Sequence, residues 1–148
     1  MWLTALMVVA LGLGESAAAP SRAVDLTLTG ILGIEIGTPV ADARRILDAS
    51  GDGNRRGTRD GGSKEAWTFA TGPYDWIALR AGSDGRVRWI TGRRRAGSEV
   101  PFGALPTPPD VATDAIAIWH VTGAIAPARL TLRGTAGRAQ VVTLLAVP

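Results

Sequence analysis

One stretch, residues 33–51 (GIEIGTPVADARRILDASG), limits the fold more than any other. Helical spacing, a start signal and a stop signal coincide there. Thr38 has the chemistry of an N-cap, and Pro39 comes next at the first helical position, where its missing N–H costs nothing. Val40, Ala43, Ile46 and Leu47 recur at helical spacing and form one apolar stripe. Asp42, Arg44, Arg45 and Asp48 take the other faces, with Asp42 in the first turn, where the helix dipole favours an anion. Gly51 can adopt the left-handed conformation that ends a helix. A helix of about 12 residues is marginal alone in water, so its stripe must pack on something. The chain beyond this helix is almost wholly β in character. The expected fold class is therefore α+β: one main helix packed on an antiparallel β-meander, with additional C-terminal antiparallel strands.

The meander is read from period-two alternation. Residues 65–71 carry Trp67 and Phe69, and Gly72-Pro73 turns the chain. Residues 74–81 make the second strand. Gly82-Ser83-Asp84-Gly85 is a hairpin turn, and residues 86–92 make the third strand. Short connections imply antiparallel pairing. Upstream, Val24-Asp25-Leu26-Thr27-Leu28-Thr29 alternates like a strand. Between helix and meander, residues 52–63 (DGNRRGTRDGGS) read as a polar, Gly-rich loop.

Residues 96–114 are rich in Pro and Gly and read as a linker or a surface-wrapping connection. Beyond it, residues 115–122, 128–133 and 138–147 read as three strands, the last two turned at 134–137. They either extend the first sheet or pack on it. The domain plan is thus a single α+β domain over 24–148, with 31–95 as helix plus meander and 115–148 as the C-terminal strands.

Residues 1–14 are apolar and uncharged, and small residues occupy 16–19. An apolar core of about 13 residues is short for a bilayer span and suits a signal peptide, so cleavage after Ala18 is expected. No Lys or Arg precedes it. The expected location is periplasmic or secreted, with membrane attachment only through an uncleaved N-terminal segment or electrostatic contact. Losing residues 1–18 removes one Glu and no Lys or Arg, raising the formal charge from +3 to +4. The sequence pI near 10.5 allows an anionic partner such as a phospholipid head group, an acidic polysaccharide or an acidic protein face.

Most catalytic chemistries lack their parts. There is no cysteine, which removes disulfides, thiolate nucleophiles, cysteine-based zinc sites and lipid attachment through an N-terminal cysteine. His120 is the only histidine. It could pair with Asp110 or Asp114, but no nucleophile elbow accompanies it. Asp52-Gly53-Asn54-Arg55-Arg56-Gly57 opens like a calcium loop, yet Arg56 stands where an oxygen ligand is needed. No phosphate-binding glycine motif joins a strand to a helix. The expectation is no cofactor, no metal and no catalysis. Arg93-Arg94-Arg95 could touch nucleic acid, but export argues against that partner.

Strand alternation yields candidate surfaces. Ile77 and Leu79 face the core, with Tyr74, Trp76 and Arg80 opposite. Val87 and Trp89 face inward, with Arg86 and Arg88 outward. Trp67 and Phe69 face inward, with Ala66, Thr68 and Ala70 outward. The helix would cover the inner side. The candidate binding face is then Tyr74, Trp76, Arg80, Arg86 and Arg88, a mixture of aromatics and arginines typical of binding hot spots. The competing reading has the C-terminal hairpin cover that face and make Trp76 core. Trp119 reads as core, because its strand is apolar on both faces. Arg55, Arg56 and Arg59 are a second candidate, on the loop.

The order of elements at residues 33–51, then Trp67, residues 74–81 and Asp84-Gly85-Arg86-Val87 resembles the SmpA/OmlA-like outer-membrane assembly lipoproteins and the related β-lactamase-inhibitor-protein-like domains. The resemblance covers about residues 31–93. It implies a small secreted α+β module that binds without catalysis, as scaffold or inhibitor. The chain departs from that pattern in lacking the lipoprotein cysteine and a second helix before the sheet, and in adding C-terminal strands. The leading expectation is an exported, non-enzymatic binding module for a protein or cell-envelope component. The alternatives are a secreted enzyme inhibitor inserting residues 52–63 into a cleft, and a small hydrolase or lyase using His120.

Overall fold

The computed structural model describes residues 25–50 and 64–148, together with the backbone of residues 54–57. The expected signal segment, the helix stop at Gly51 and the loop residue Arg59 lie outside the described residues.

The first strands among the described residues form a small hairpin, β1 (Gly30–Ile31) and β2 (Ile34–Glu35). Leu32 and Gly33 turn it, both with positive φ (51° and 78°), the pairing that matches strand twist in a two-residue turn. The strand expected over 24–29 does not form. Thr27 N–H donates to the Gly30 carbonyl, folding the chain back so that Leu26 meets Ile31 in a single bridge. A turn rather than a ladder delivers Leu26 to the core, with Leu28 packed partly against it.

Helix α1 spans Val40–Ala49 and buries Ala43 and Leu47. Thr38 does not cap it. Its backbone is already paired with Val87, and its hydroxyl accepts the Glu35 N–H at 3.1 Å. The first helical N–H, that of Val40, donates instead to Gly85 O at 2.9 Å, so a turn of the sheet does the capping. Two polar helix residues reach sheet residues. Asp48 accepts the Trp67 indole N–H at 2.8 Å, and Arg44 forms a two-pronged ion pair with Glu65.

Next come β3 (Asn54–Gly57), β4 (Lys64–Thr68), β5 (Tyr74–Ala81) and β6 (Val87–Arg94). The remaining elements are β7 (Val100–Pro101), a 3-10 turn at Phe102–Ala104, β8 (Val111–Ala112), β9 (Ile116–Thr122), β10 (Pro127–Thr135) and β11 (Arg138–Ala146). β3 corrects the expectation of a loop throughout 52–63. An edge strand needs only backbone pairing on one side, and Asn54–Gly57 has no apolar alternation to announce it. The nine strands form one antiparallel sheet in the order β3-β4-β5-β6-β11-β10-β9-β8, with β7 beside the end of β11. The β6–β11 pairing answers what the sequence left open: the C-terminal strands extend the sheet edge to edge and do not stack on its face.

One face of the sheet carries the core. Trp67, Ile77, Leu79, Ile90, Val142, Leu144, Leu130, Leu132 and Trp119 join a single core cluster with Ile31, Ile34, Ala43 and Leu47. The Pro-rich segment wraps rather than links. Phe102 is buried in that cluster, and Trp119 donates its indole N–H to Thr107 O at 2.9 Å. Among the described residues, no helix is long and apolar enough to cross a membrane.

Candidate functional site

The outer face of the sheet is set by two β-bulges on the β5–β6 pair. Each inserts one unpaired residue and flips whatever lies beyond it to the other side. At one end, Trp76 pairs with Arg93 but Tyr74 pairs with Arg94, leaving Asp75 extra. At the other end, Arg80 pairs with Trp89 but Ala81 pairs with Val87, leaving Arg88 extra.

The first bulge sends Tyr74 into the core, only 2% exposed, correcting its expected place on the binding face. It lies against Gly92, where a β-carbon would come within 2.8 Å of its ring. Arg94 is carried inward too. Its guanidinium stacks 4.8 Å from the Tyr74 ring centre and donates to Asp25 Oδ2 at 2.7 Å, to the Tyr74 hydroxyl at 3.1 Å and to Ser98 O. Burial, the largest cause, pushes the Tyr74 phenol above its ordinary range. This cluster clamps the N-terminal hairpin and the 95–98 turn to the sheet.

The second bulge sends Trp89 outward, against the expectation that it joins Val87 in the core. Val87 is fully buried while Trp89 is only half-buried. Arg86 also leaves the expected set. Its guanidinium donates to Gly37 O at 2.8 Å, beside the start of α1. Of the five expected face residues, Trp76, Arg80 and Arg88 remain on the outer side, and Arg88 is held by Asp84 at 2.7 Å. The backbone of Arg55 and Arg56 lies in edge strand β3.

Register extends the outer face across the sheet. One row runs Lys64, Arg80, Trp89, Leu145, Arg129, His120. The next is Ala66, Ala78, Thr91, Thr143, Thr131, Ile118. The third is Thr68, Trp76, Arg93, Val141, Arg133, Ile116. Thr91 is buried among its neighbours and bonded to Val142 O and Thr143, so it braces the floor. Two depressions open on this face. One, of about 400 Å³, is lined by Trp89, Ile116, Ile118, Arg129, Arg133 and Leu145 together with two threonines. The other, of about 270 Å³, is lined by Lys64, Arg80, Arg88, Trp89 and Leu145. They meet at Trp89 and Leu145, and the Lys64 ammonium sits 5.7 Å from the Trp89 ring centre.

Sequence reasoning missed Trp89, Leu145, Arg129 and Arg133. The alternation of Arg129, Thr131 and Arg133 against buried Leu130 and Leu132 marks one flank. Reading β6 backward from Ile90 and Gly92 would have placed Trp89 outside. Starting from Val87 carried the alternation through the bulge.

His120 stands at the end of the first row. Its Nδ1 lies 3.0 Å from Asp110 Oδ2, and its backbone N–H donates to the same oxygen at 2.6 Å. That N–H, with the ring second, holds the Asp110 carboxyl below its ordinary range. Both side chains are more than half exposed. The pair can orient an imidazole, and it also ties the β8 approach to β9. Among the described residues, no three metal-ligating side chains cluster.

No protein-family model, no curated protein and no solved structure matches this chain.

Proposed function

We propose that the chain is an exported binding module that engages a protein or cell-envelope component through the outer face of its sheet, and that it acts without catalysis. On this reading α1 packs on the meander and closes the inner face, leaving the outer one for a partner. The observation that carries it is the face itself. Two half-buried tryptophans, a run of aliphatic side chains and a set of arginines lie together on one face of the sheet, which holds two depressions. Tryptophan and arginine dominate the residues that carry binding energy at interfaces. The resemblance to secreted α+β scaffold and inhibitor modules, and the signal-like N-terminal segment, point the same way.

The test is capture of a partner from cell-envelope extract by the wild-type chain, by a Trp89→Ala variant and by one lacking residues 58–63. The proposal expects capture to fail with Trp89→Ala and to survive the deletion. The reverse pattern would replace it with an inhibitor that works through the loop.

A further inference from the structure

We infer that the outer face takes an extended acidic segment of a partner protein, laid across the strands. An apolar side chain of that segment sits on Trp89 and Leu145, with one carboxylate on Arg80 and another on Arg129. The inference rests on the reading of this face as a binding surface.

Charge complementarity carries it. The three outward rows contain no carboxylate. Two rim arginines already have partners: Asp75 holds Arg93 at 2.8 Å, and Asp84 holds Arg88. Among the described residues, no carboxylate lies within ion-pair distance of Arg80, Arg129 or Arg133. These are planar donors suited to two-pronged recognition of a carboxylate.

Spacing then selects the ligand's shape. Arg80 and Arg129 share a register row, with Trp89 and Leu145 between them. Three inter-strand steps separate their backbones by about 14 Å. An extended peptide covers about 14 Å in four residues, and its positions i, i+2 and i+4 point to one side. The pattern acid-x-apolar-x-acid therefore presents its carboxylates to the two arginines while its central side chain enters where the two depressions meet. A single-headed anionic lipid would satisfy only one flank.

The probe is the peptide acetyl-Glu-Ser-Leu-Ser-Glu-amide, titrated into the full chain and followed by two-dimensional NMR. Shifts should cluster on β5, β6, β11 and β10. Arg80→Glu and Arg129→Glu should each weaken binding about tenfold or more, as should Gln in place of both peptide acids. Arg45→Glu, on the helix, should not. If a charge reversal fails to fold by circular dichroism, Arg80→Gln and Arg129→Gln serve in its place. Equal binding of the Gln peptide, or indifference to both arginines, overturns the inference. So does occupation of the face by phosphatidylglycerol vesicles or polygalacturonate but not by the peptide, although the reading of the face then stands. Retention of envelope capture by Trp89→Ala removes the face reading itself.

Discussion

Trp67 on β4 and Trp89 on β6 belong to the same sheet and have opposite environments. Trp67 is fully buried, and its indole N–H is spent on Asp48 of the helix. Trp89 lies on the other side, half-buried between two open depressions, with Lys64 over its ring. Residue type is the same, and so is the alternating strand context. What differs is one unpaired residue, Arg88, in the ladder. The lesson is that in this chain the bulges, more than the composition of the strands, decide which side chains stabilise and which remain available.

The contrast is most exposed to a test at Trp67. Truncation to Ala should cost about 3–5 kcal/mol through lost burial and the cavity left behind. It also removes the indole N–H that Asp48, on the exposed side of the helix, accepts. Urea unfolding followed by circular dichroism measures it. A loss under about 1 kcal/mol would mean that the inner face is not the one that holds the fold together.

Next in size is Arg94. Replacement by Met removes the partner of Asp25 and of the Tyr74 hydroxyl, and should cost up to about 3 kcal/mol, limited by the partial exposure of Asp25. Gly92→Ala acts on the same cluster from below. The added carbon would lie 2.8 Å from the buried Tyr74 ring and 3.4 Å from the Ile77 side chain, costing about 1–3 kcal/mol. Equal stability of either variant to wild type would show that Tyr74 is free to leave its site.

The pH dependence sharpens the same contrast. Burial raises the Tyr74 phenol above its ordinary pKa. The folded state therefore keeps the proton where the unfolded chain releases it. The contribution is fully present below about pH 10 and falls by at most about 1.4 kcal/mol per pH unit above that. Tyr74 is the only tyrosine, so phenolate absorbance reports it without interference. Tyr74→Phe should flatten the loss of stability above pH 10. A tyrosine that titrates normally in the folded chain would place it back on the outer face.

These residues also show how far the sequence could be read. The helix, the three meander strands and the C-terminal strands are legible from periodicity and turn chemistry, because burial imposes period 3.6 or 2 on the chain. Trp119 was legible as core because both faces of its strand are apolar. Tyr74 and Trp89 were placed on the wrong sides because alternation has no memory of an inserted residue, and neither bulge is marked by a Gly or Pro. β3 was invisible because a strand of Asn, Arg and Gly carries no apolar alternation for a periodic pattern to reveal. Thr38 looked like a cap because local chemistry cannot foresee that Gly85, far along the chain, supplies the carbonyl. The candidate site was half legible: Trp76, Arg80 and Arg88 came from one hairpin. Arg129, Arg133 and Leu145 needed the β6–β11 pairing, a long-range contact that no local pattern specifies.

The smallest expected stability change is the one that matters most for the proposed role. Trp89→Ala removes a half-buried ring, its contact with Leu145 and the Lys64 cation above it. No hydrogen bond and no closed cavity are involved, so the loss of stability should stay within about 1 kcal/mol, a modest shift in the urea midpoint. The same variant should lose partner capture altogether. Stability and binding would then separate at one tryptophan and stay coupled at the other. If Trp89→Ala instead unfolds the chain as Trp67→Ala does, the outer face is a second core whose cover is still to be identified, and the contrast between the two tryptophans disappears.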